Sequence, residues 1–202
     1  MLRKPIPRLV SLYNYSKRTP TAYYHGHAKK TTVDEFIAEY DLHELNNGQV
    51  RFLAGSDEDL FINRTPIGEC GKELFDRAVH NVENHFFHVG ILEHFDKSAL
   101  LLGHKLGWSN SLYLRRNTGN YTKKDSPSQS AIETAKERNK WDIKLYNRYE
   151  SKLKDNFESN FKERALGAFK LKNKVYNKAI GPAYEAYAYG KALVSGNTEH
   201  PR

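Results

Sequence analysis

The sequence predicts an α/β fold, helix-rich with few parallel strands, and three observations lead to it. The run Phe86-Phe87-His88-Val89-Gly90-Ile91 is compact, aromatic and β-branched, the composition of a short buried strand. Helical patterns flank it, with Leu74, Phe75, Ala78, Val79 and Val82 before it and Phe95, Ala99, Leu102 and Leu106 after it. The chain also opens on Leu2-Arg3 followed by Pro5 and Pro7, which suits a strand end running into a helix, because the first turn is where a missing N–H costs little.

Taken in order, Leu9, Leu12 and Tyr13 continue the first helix, and Ser16 to Lys30 reads as a basic, mobile loop. Thr32-Val33-Asp34-Glu35 has the form of a capping box, so a helix is expected from about 32 to 41 with Phe36, Ile37 and Tyr40 on its apolar face. Asn46-Asn47-Gly48 signals a turn, Gln49 to Ala54 is a short apolar-rich stretch, and Asp57-Glu58-Asp59 reads as surface loop. A helix is expected from about 72 to 84. The helix begun at Phe95 closes at Gly107, where a left-handed cap is favoured. Trp108 to Lys124 reads as a long loop, and Ser126-Pro127 as a helix start. Beyond it Trp141, Leu145, Tyr149, Leu153, Phe157 and Phe161 recur every four residues. That step drifts about 40° each time around a helix of 3.6 residues per turn, so the stripe must wind or the helix must break near Asp155. A turn is expected at Gly181-Pro182.

At 202 residues, 39% hydrophobic and 28% charged, the chain is long enough for a buried core. It contains no apolar run of the length a membrane span needs and no signal-peptide core; a cytoplasmic protein is expected, with a Golgi-lumenal or membrane-associated one as the alternative. One cysteine, Cys70, excludes an intramolecular disulfide and a cysteine-cluster metal site. Lys and Arg outnumber Asp and Glu by 32 to 24, which calls for an anionic partner without naming it.

The densest chemistry is Leu2-Arg3-x-Pro5-x-x-Arg8-x-x-Ser11-x-Tyr13. An arginine at a strand end before a helix sits where the dipole favours an anion, and its planar fork suits a phosphate. A solvated basic helix face is the plainer alternative. Arg51, in an otherwise apolar stretch, requires a partner: either an acceptor or cofactor, or a carboxylate such as Asp57 or Glu58.

These residues resemble the 3′-phosphate-binding motif of the sulfotransferases that use 3′-phosphoadenosine 5′-phosphosulfate (PAPS), most closely the carbohydrate sulfotransferases of the heparan sulfate 2-O type and their bacterial relatives. Gln49-Val50-Arg51-Phe52-Leu53-Ala54-Gly55, Ala78-x-x-Asn81, Phe87-x-Val89-Gly90-x-x-Glu93 and Trp141 to Tyr149 extend the resemblance over about residues 1–158. It implies a P-loop-like sulfotransferase fold, of which this chain would be the C-terminal part, and sulfuryl transfer from PAPS to a hydroxyl of an acidic or neutral carbohydrate. Arg3 and Ser11 would hold the 3′-phosphate with support from Arg8, and Arg115, Arg116, Asn117 and Lys123 would cover the nucleotide. Arg51, His25 and His27 are the candidate substrate contacts. The family's phosphosulfate loop and catalytic His or Glu lie upstream of the arginine motif, so the chain is expected to be incomplete, with a separate N-terminal half as a partner and no catalytic residue assigned. The expected domains are 1–160 and a basic helical extension, 161–202.

The nine histidines lack zinc-ligand spacing, and no metal is expected. His85 and His88 would point to opposite faces of a strand. Trp141 and the four-spaced aromatics read as core. Asn14-Tyr-Ser16, Asn63-Arg-Thr65 and Asn120-Tyr-Thr122 match the glycosylation pattern. The competing classes rest on the C-terminal lysines: Phe161 to Lys191 as a nucleic-acid track, the disfavoured partner, or Lys162 to Lys178 as a membrane-surface helix with Leu166, Phe169 and Val175 on its apolar side.

Overall fold

The computed structural model describes residues 1–39, 41–55, 62–115 and 125–194, with side chains through 187 and at 190 and 191. These residues are predominantly helical. In chain order they form α1 (Pro5–Arg18), α2 (His25–Lys30), α3 (Val33–Ala38), α4 (Gly48–Ala54), α5 (Lys72–His85), α6 (Phe95–Lys105), α7 (Gln129–Arg138), α8 (Lys140–Asn160) and α9 (Glu163–Val194). Single 3₁₀ turns occur at His43–Leu45 and Leu92–His94.

The chain divides into two bodies. The first comprises residues 1–93 and 125–153, the second 94–115 and 154–194. The division therefore does not follow a single boundary at 160: α8 is one continuous helix whose residues to Leu153 belong to the first body and from Lys154 to the second.

In the first body α1 buries Pro5, Leu9, Tyr13 and Ser16, spaced three and four apart, on one face. Leu9 and Tyr13 join Ala28, Val33, Phe36, Ile37, Leu45, Ala131 and Ala135 in one core cluster. Each large side chain fully buried there contributes roughly 1.5–3 kcal/mol relative to exposure. Because Ala28 is fully buried in that cluster, the expected mobile loop over 16–30 instead holds the end of α1 and the whole of α2. The capping box of α3 forms as the sequence predicts: Glu35 N–H donates to Thr32 Oγ1 at 3.2 Å, and Thr32 N–H to Glu35 Oε2 at 2.7 Å. Tyr40 and Asp57-Glu58-Asp59 lie outside the described residues.

α5 starts and ends within a residue of its expected range and buries Phe75, Ala78 and Val82. The Trp141 ring lies 5.3 Å from that of Phe75, in keeping with a core role. α7 starts on Ser128, whose side chain accepts the Ala131 N–H, two residues after the expected signal at Ser126. α8 does not break near Asp155. Leu145, Tyr149, Leu153 and Phe157 are all buried along it, so the four-residue stripe winds around an intact helix.

The expected strand over 86–91 reduces to one parallel bridge between Leu2 and Ile91. Leu2 N–H donates to the Gly90 carbonyl at 2.8 Å, and Leu92 N–H to the Leu2 carbonyl at 2.9 Å. With a single residue alongside among the described residues, pairing does not propagate, and Phe86 and Phe87 are exposed. His85 closes α5 and His88 follows it, so the two do not share a strand.

In the second body Gly107, at φ 66°, terminates α6 as expected. Residues 108–115 carry no helix or strand, as a loop should. Tyr113 packs its ring 4.5 Å from that of Phe95 and 6.4 Å from that of Phe169. Lys97 pairs with Glu163 at 3.4 Å and lies over the Phe157 ring. The turn expected at Gly181-Pro182 is absent, since α9 continues through Pro182. The proline removes one N–H from the ladder, and the flanking alanines, lysines and glutamate carry the helix past it.

Candidate functional site

The start of α1 is held on three sides. Beyond the bridge to Ile91, the Gln49 carboxamide pairs with both backbone groups of Arg3: Arg3 N–H donates to Oε1 and Nε2 donates to the Arg3 carbonyl, each at 2.9 Å. Lys4 N–H then donates to Glu93 Oε1 at 2.9 Å. The backbone at Arg3 is thereby fixed while its guanidinium, partly buried, makes no hydrogen bond among the described residues. Burial lowers the Arg3 pKa, the Glu93 carboxylate opposes that, and the Arg8 cation adds to it. A cation so placed is relieved by an arriving anion.

The amides of the helix start contribute little. Pro5 and Pro7 bring no N–H, and that of Arg8 is bonded to the Lys4 carbonyl at 3.0 Å, so side chains rather than a nest of amides must do the holding. Arg8 donates from Nη2 to the Glu44 carbonyl at 2.6 Å and from Nη1 to the Glu44 carboxylate at 3.3 Å, while its Nε is buried without a partner. Its guanidinium occupies the space a side chain at residue 48 would need, which explains Gly48. Ser11 is partly buried three residues beyond Arg8 and shares its helix face.

Gln49 is positioned by reciprocal capping. Asn47, at φ 53°, precedes α4 and accepts the N–H groups of Trp141 and Asp142 on its side-chain oxygen at 2.9 and 3.1 Å. In return Asp142 accepts the N–H groups of Gln49 and Val50 at 3.0 and 2.8 Å. Asn139 joins them, accepting from Asn47 N–H and donating to the Leu45 and Ala135 carbonyls, each at 2.9 Å. Asp142 is fully buried, and burial raises its pKa against the pull of Arg8 and the two amides. At the other end of α4, Asn81 Nδ2 donates to the Leu53 and Ala54 carbonyls at 2.9 and 3.1 Å. Gln49 and Glu93 thus hold the backbone at Arg3 and Lys4, while Asn81 and the Trp141 N–H hold the two ends of the helix that carries Gln49. Their polar types were legible in the sequence, but their partners were not.

Arg51 is part of this scaffold as well. It is fully buried, and its five donors meet the carbonyls of Asn46, Asn63, Thr65 and Pro66 and the side-chain oxygen of Asn46, at 2.5 to 3.3 Å. No donor is left for a substrate or nucleotide. Asp57 and Glu58, its expected carboxylate partners, lie outside the described residues, and carbonyls satisfy the cation instead. His25 starts α2 with Nδ1 2.8 Å from the Ser16 carbonyl, and His27 is exposed on the same helix, which packs on α1. Among the described residues no group of three or more His, Cys, Asp or Glu is placed to hold a metal ion.

Two glycosylation matches are structurally engaged. Asn63 is 9% exposed, donates to the Gly55 carbonyl and accepts from Thr65; Ser16 is 1% exposed. Asn120 lies outside the described residues, as do Arg116, Asn117 and Lys123. Arg115 is described, in the second body, where its N–H donates to Asn177 Oδ1 at 2.7 Å. Leu166 and Phe169, two of the three apolar residues of the membrane-surface reading, are each 7% exposed and packed inward, whereas the third, Val175, is exposed. Among the described residues no helix is long and apolar enough to cross a membrane.

A polar frame thus fixes an arginine between a parallel bridge and a helix start. The family model described as Galactose-3-O-sulfotransferase matches residues 1–174, and the chain belongs to this sulfotransferase family. The resemblance read from the sequence is borne out at the level of a carbohydrate sulfotransferase, with sulfuryl transfer to a carbohydrate acceptor as the family reaction; the family that matches is the galactose-3-O type and not the heparan sulfate 2-O type read as most similar. A search of the curated proteins and a search of the solved structures each find no match.

Proposed function

We propose that this chain binds PAPS, and the adenosine 3′,5′-bisphosphate (PAP) it leaves, through a 3′-phosphate site made by Arg3 and Ser11 with Arg8 beside them, within a P-loop-like α/β sulfotransferase fold. The observation that carries the reading is Arg3 itself: its backbone is held by Gln49 and the Ile91 bridge, its charge is partly buried, and its guanidinium makes no hydrogen bond among the described residues. Arg8 adds a buried Nε without a hydrogen-bond partner. PAPS supplies the activated sulfuryl group. A bond from sulfur to the acceptor hydroxyl oxygen forms as the bond to the bridging phosphate oxygen breaks, the hydroxyl proton leaves to a base, and PAP departs. The role of the Arg3 site is to hold the 3′-phosphate, and with it the leaving nucleotide, in place. The acceptor in this reading is a carbohydrate hydroxyl, with the galactose 3-hydroxyl of the family description the first to test.

Isothermal titration of the purified chain with PAP, beside Arg3→Ala and a charge-matched Lys29→Ala, tests the site. Saturable binding lost in Arg3→Ala and kept in Lys29→Ala is expected. Equal weakening in both variants would mean general attraction to a basic protein, and no binding by the folded chain would remove the reading.

A further inference from the structure

We propose that the cleft between α9 and the 113–115 segment binds an acidic saccharide, with lysines taking its anionic substituent and a carboxylate taking a sugar hydroxyl. The proposal rests on the sulfotransferase reading and narrows the acceptor from carbohydrate in general to a charged one.

The cleft lies wholly in the second body, encloses about 510 Å³ and is lined by Asp96, Arg115, Lys170, Asn173, Lys174 and Asn177. Lys170 and Lys174 are four residues apart on α9 and so share a face, where like charges repel. Neither forms an ion pair among the described residues, and between Glu163 and Glu185 the helix carries Arg164, Lys170, Lys172, Lys174 and Lys178 with no carboxylate. An oxyanion between Lys170 and Lys174 removes that repulsion.

The opposite wall is fixed in advance. Tyr113 N–H donates to Asn173 Oδ1 at 2.9 Å, Asn177 Nδ2 donates to the Tyr113 carbonyl at 2.7 Å, and Asn177 Oδ1 accepts Arg115 N–H at 2.7 Å. This clamp presents the exposed Arg115 toward the lysines' cleft, and Asn177 lies beyond the residues the family model matches.

Asp96 decides between a saccharide and a nucleic acid. Its Oδ1 accepts the Tyr113 hydroxyl at 2.6 Å, and its second oxygen makes no hydrogen bond among the described residues. A carboxylate in the groove repels a phosphate backbone but accepts readily from a sugar hydroxyl. The neighbouring rings of Phe95, Tyr113 and Phe169 are spent on one another rather than offered as stacking platforms.

The test titrates the full chain with trigalacturonic acid, with neutral galactotriose and with a short oligouridylate, in wild type, in Lys170→Gln/Lys174→Gln and in the charge-matched Lys162→Gln/Lys172→Gln. Circular dichroism checks that each is folded. The expected result is saturable binding of the acidic trisaccharide, weakened roughly tenfold or more by the cleft pair and little by the control pair, with galactotriose weaker than its acidic counterpart. Equal binding of the neutral sugar, equal or tighter binding of oligouridylate, equal weakening in both double variants, or no binding overturns the proposal. Displacement of the saccharide by PAP also overturns it, since the cleft would then be a nucleotide site. PAP binding that depends on Arg3 is read separately, so the nucleotide reading can stand when this one fails.

Discussion

Asn47 and Asp142, 95 residues apart in sequence, each cap the helix that the other begins. Two buried helix starts therefore meet with their orphan N–H groups satisfied by one another's side chains, and the left-handed backbone of Asn47 turns its oxygen to the task. Asn47→Ala and Asp142→Ala should each lower unfolding free energy by about 2–3 kcal/mol, combining a lost cap with buried groups left unpaired. In a double-mutant cycle followed by urea denaturation the two should couple by about 1 kcal/mol or more. Simple additivity would show that the caps act independently.

Arg51 offers a contrast between scaffold and site. Arg51→Lys keeps the charge but cannot reach all five acceptors, so a loss of about 2–4 kcal/mol is expected in denaturant unfolding. The variant that remains folded should bind PAP as the wild type does. A stable variant with weakened PAP binding would move Arg51 into the site.

Gln49 imitates a neighbouring strand toward Arg3, since one carboxamide meets both an N–H and a carbonyl. Gln49→Glu removes the donor and sets a carboxylate against the Arg3 carbonyl. Its expected signature is a stability loss of about 1–3 kcal/mol together with weaker PAP binding. Arg3→Ala should do the reverse, abolishing binding with little change in melting temperature. If both variants lose only stability, Arg3 is not a ligand.

Glu83 gives a pH test. Lys152 and Arg148 donate to its Oε1 at 2.6 and 2.8 Å and hold its carboxyl at about 2, below the ordinary 4.5. Because the folded value is depressed, this contribution is present above pH 4.5 and is lost as pH falls through about 2. The site is exposed, so the effect is small and screened by salt. Glu83→Gln should flatten the acid limb of the stability profile in that window and leave the neutral-pH side parallel to wild type. An unchanged acid limb would mean the pairs contribute nothing in solution.

The helices legible in the sequence are those whose signals are local. α3 carries its capping box, α5 its apolar period, and α6 its closing Gly107, all within one or two turns of chain. α4 was hidden because its cap, Asp142, comes from 93 residues away. The 86–91 segment is not a strand: composition reports apolar surface, whereas a strand also needs neighbours, and among the described residues only Leu2 pairs with it. At the site, the sequence singled out Arg3, Arg8 and Arg51 alike. What separates an arginine whose donors are all engaged from one whose guanidinium is unbonded is how the backbone folds around it, since the acceptors of Arg51 are mostly main-chain carbonyls that carry no residue-type signal.

The interleaving of the two bodies bears on how the chain emerges during synthesis. Residues 94–115 interrupt the first body, whose core is completed only when Ala131, Ala135 and the capping Asp142 arrive. At about 5–20 residues per second, the faces of Leu9, Tyr13 and Phe36 wait several seconds on the ribosome before α7 covers them. A nascent chain arrested after residue 93 should therefore engage chaperones that one arrested well past residue 153 does not.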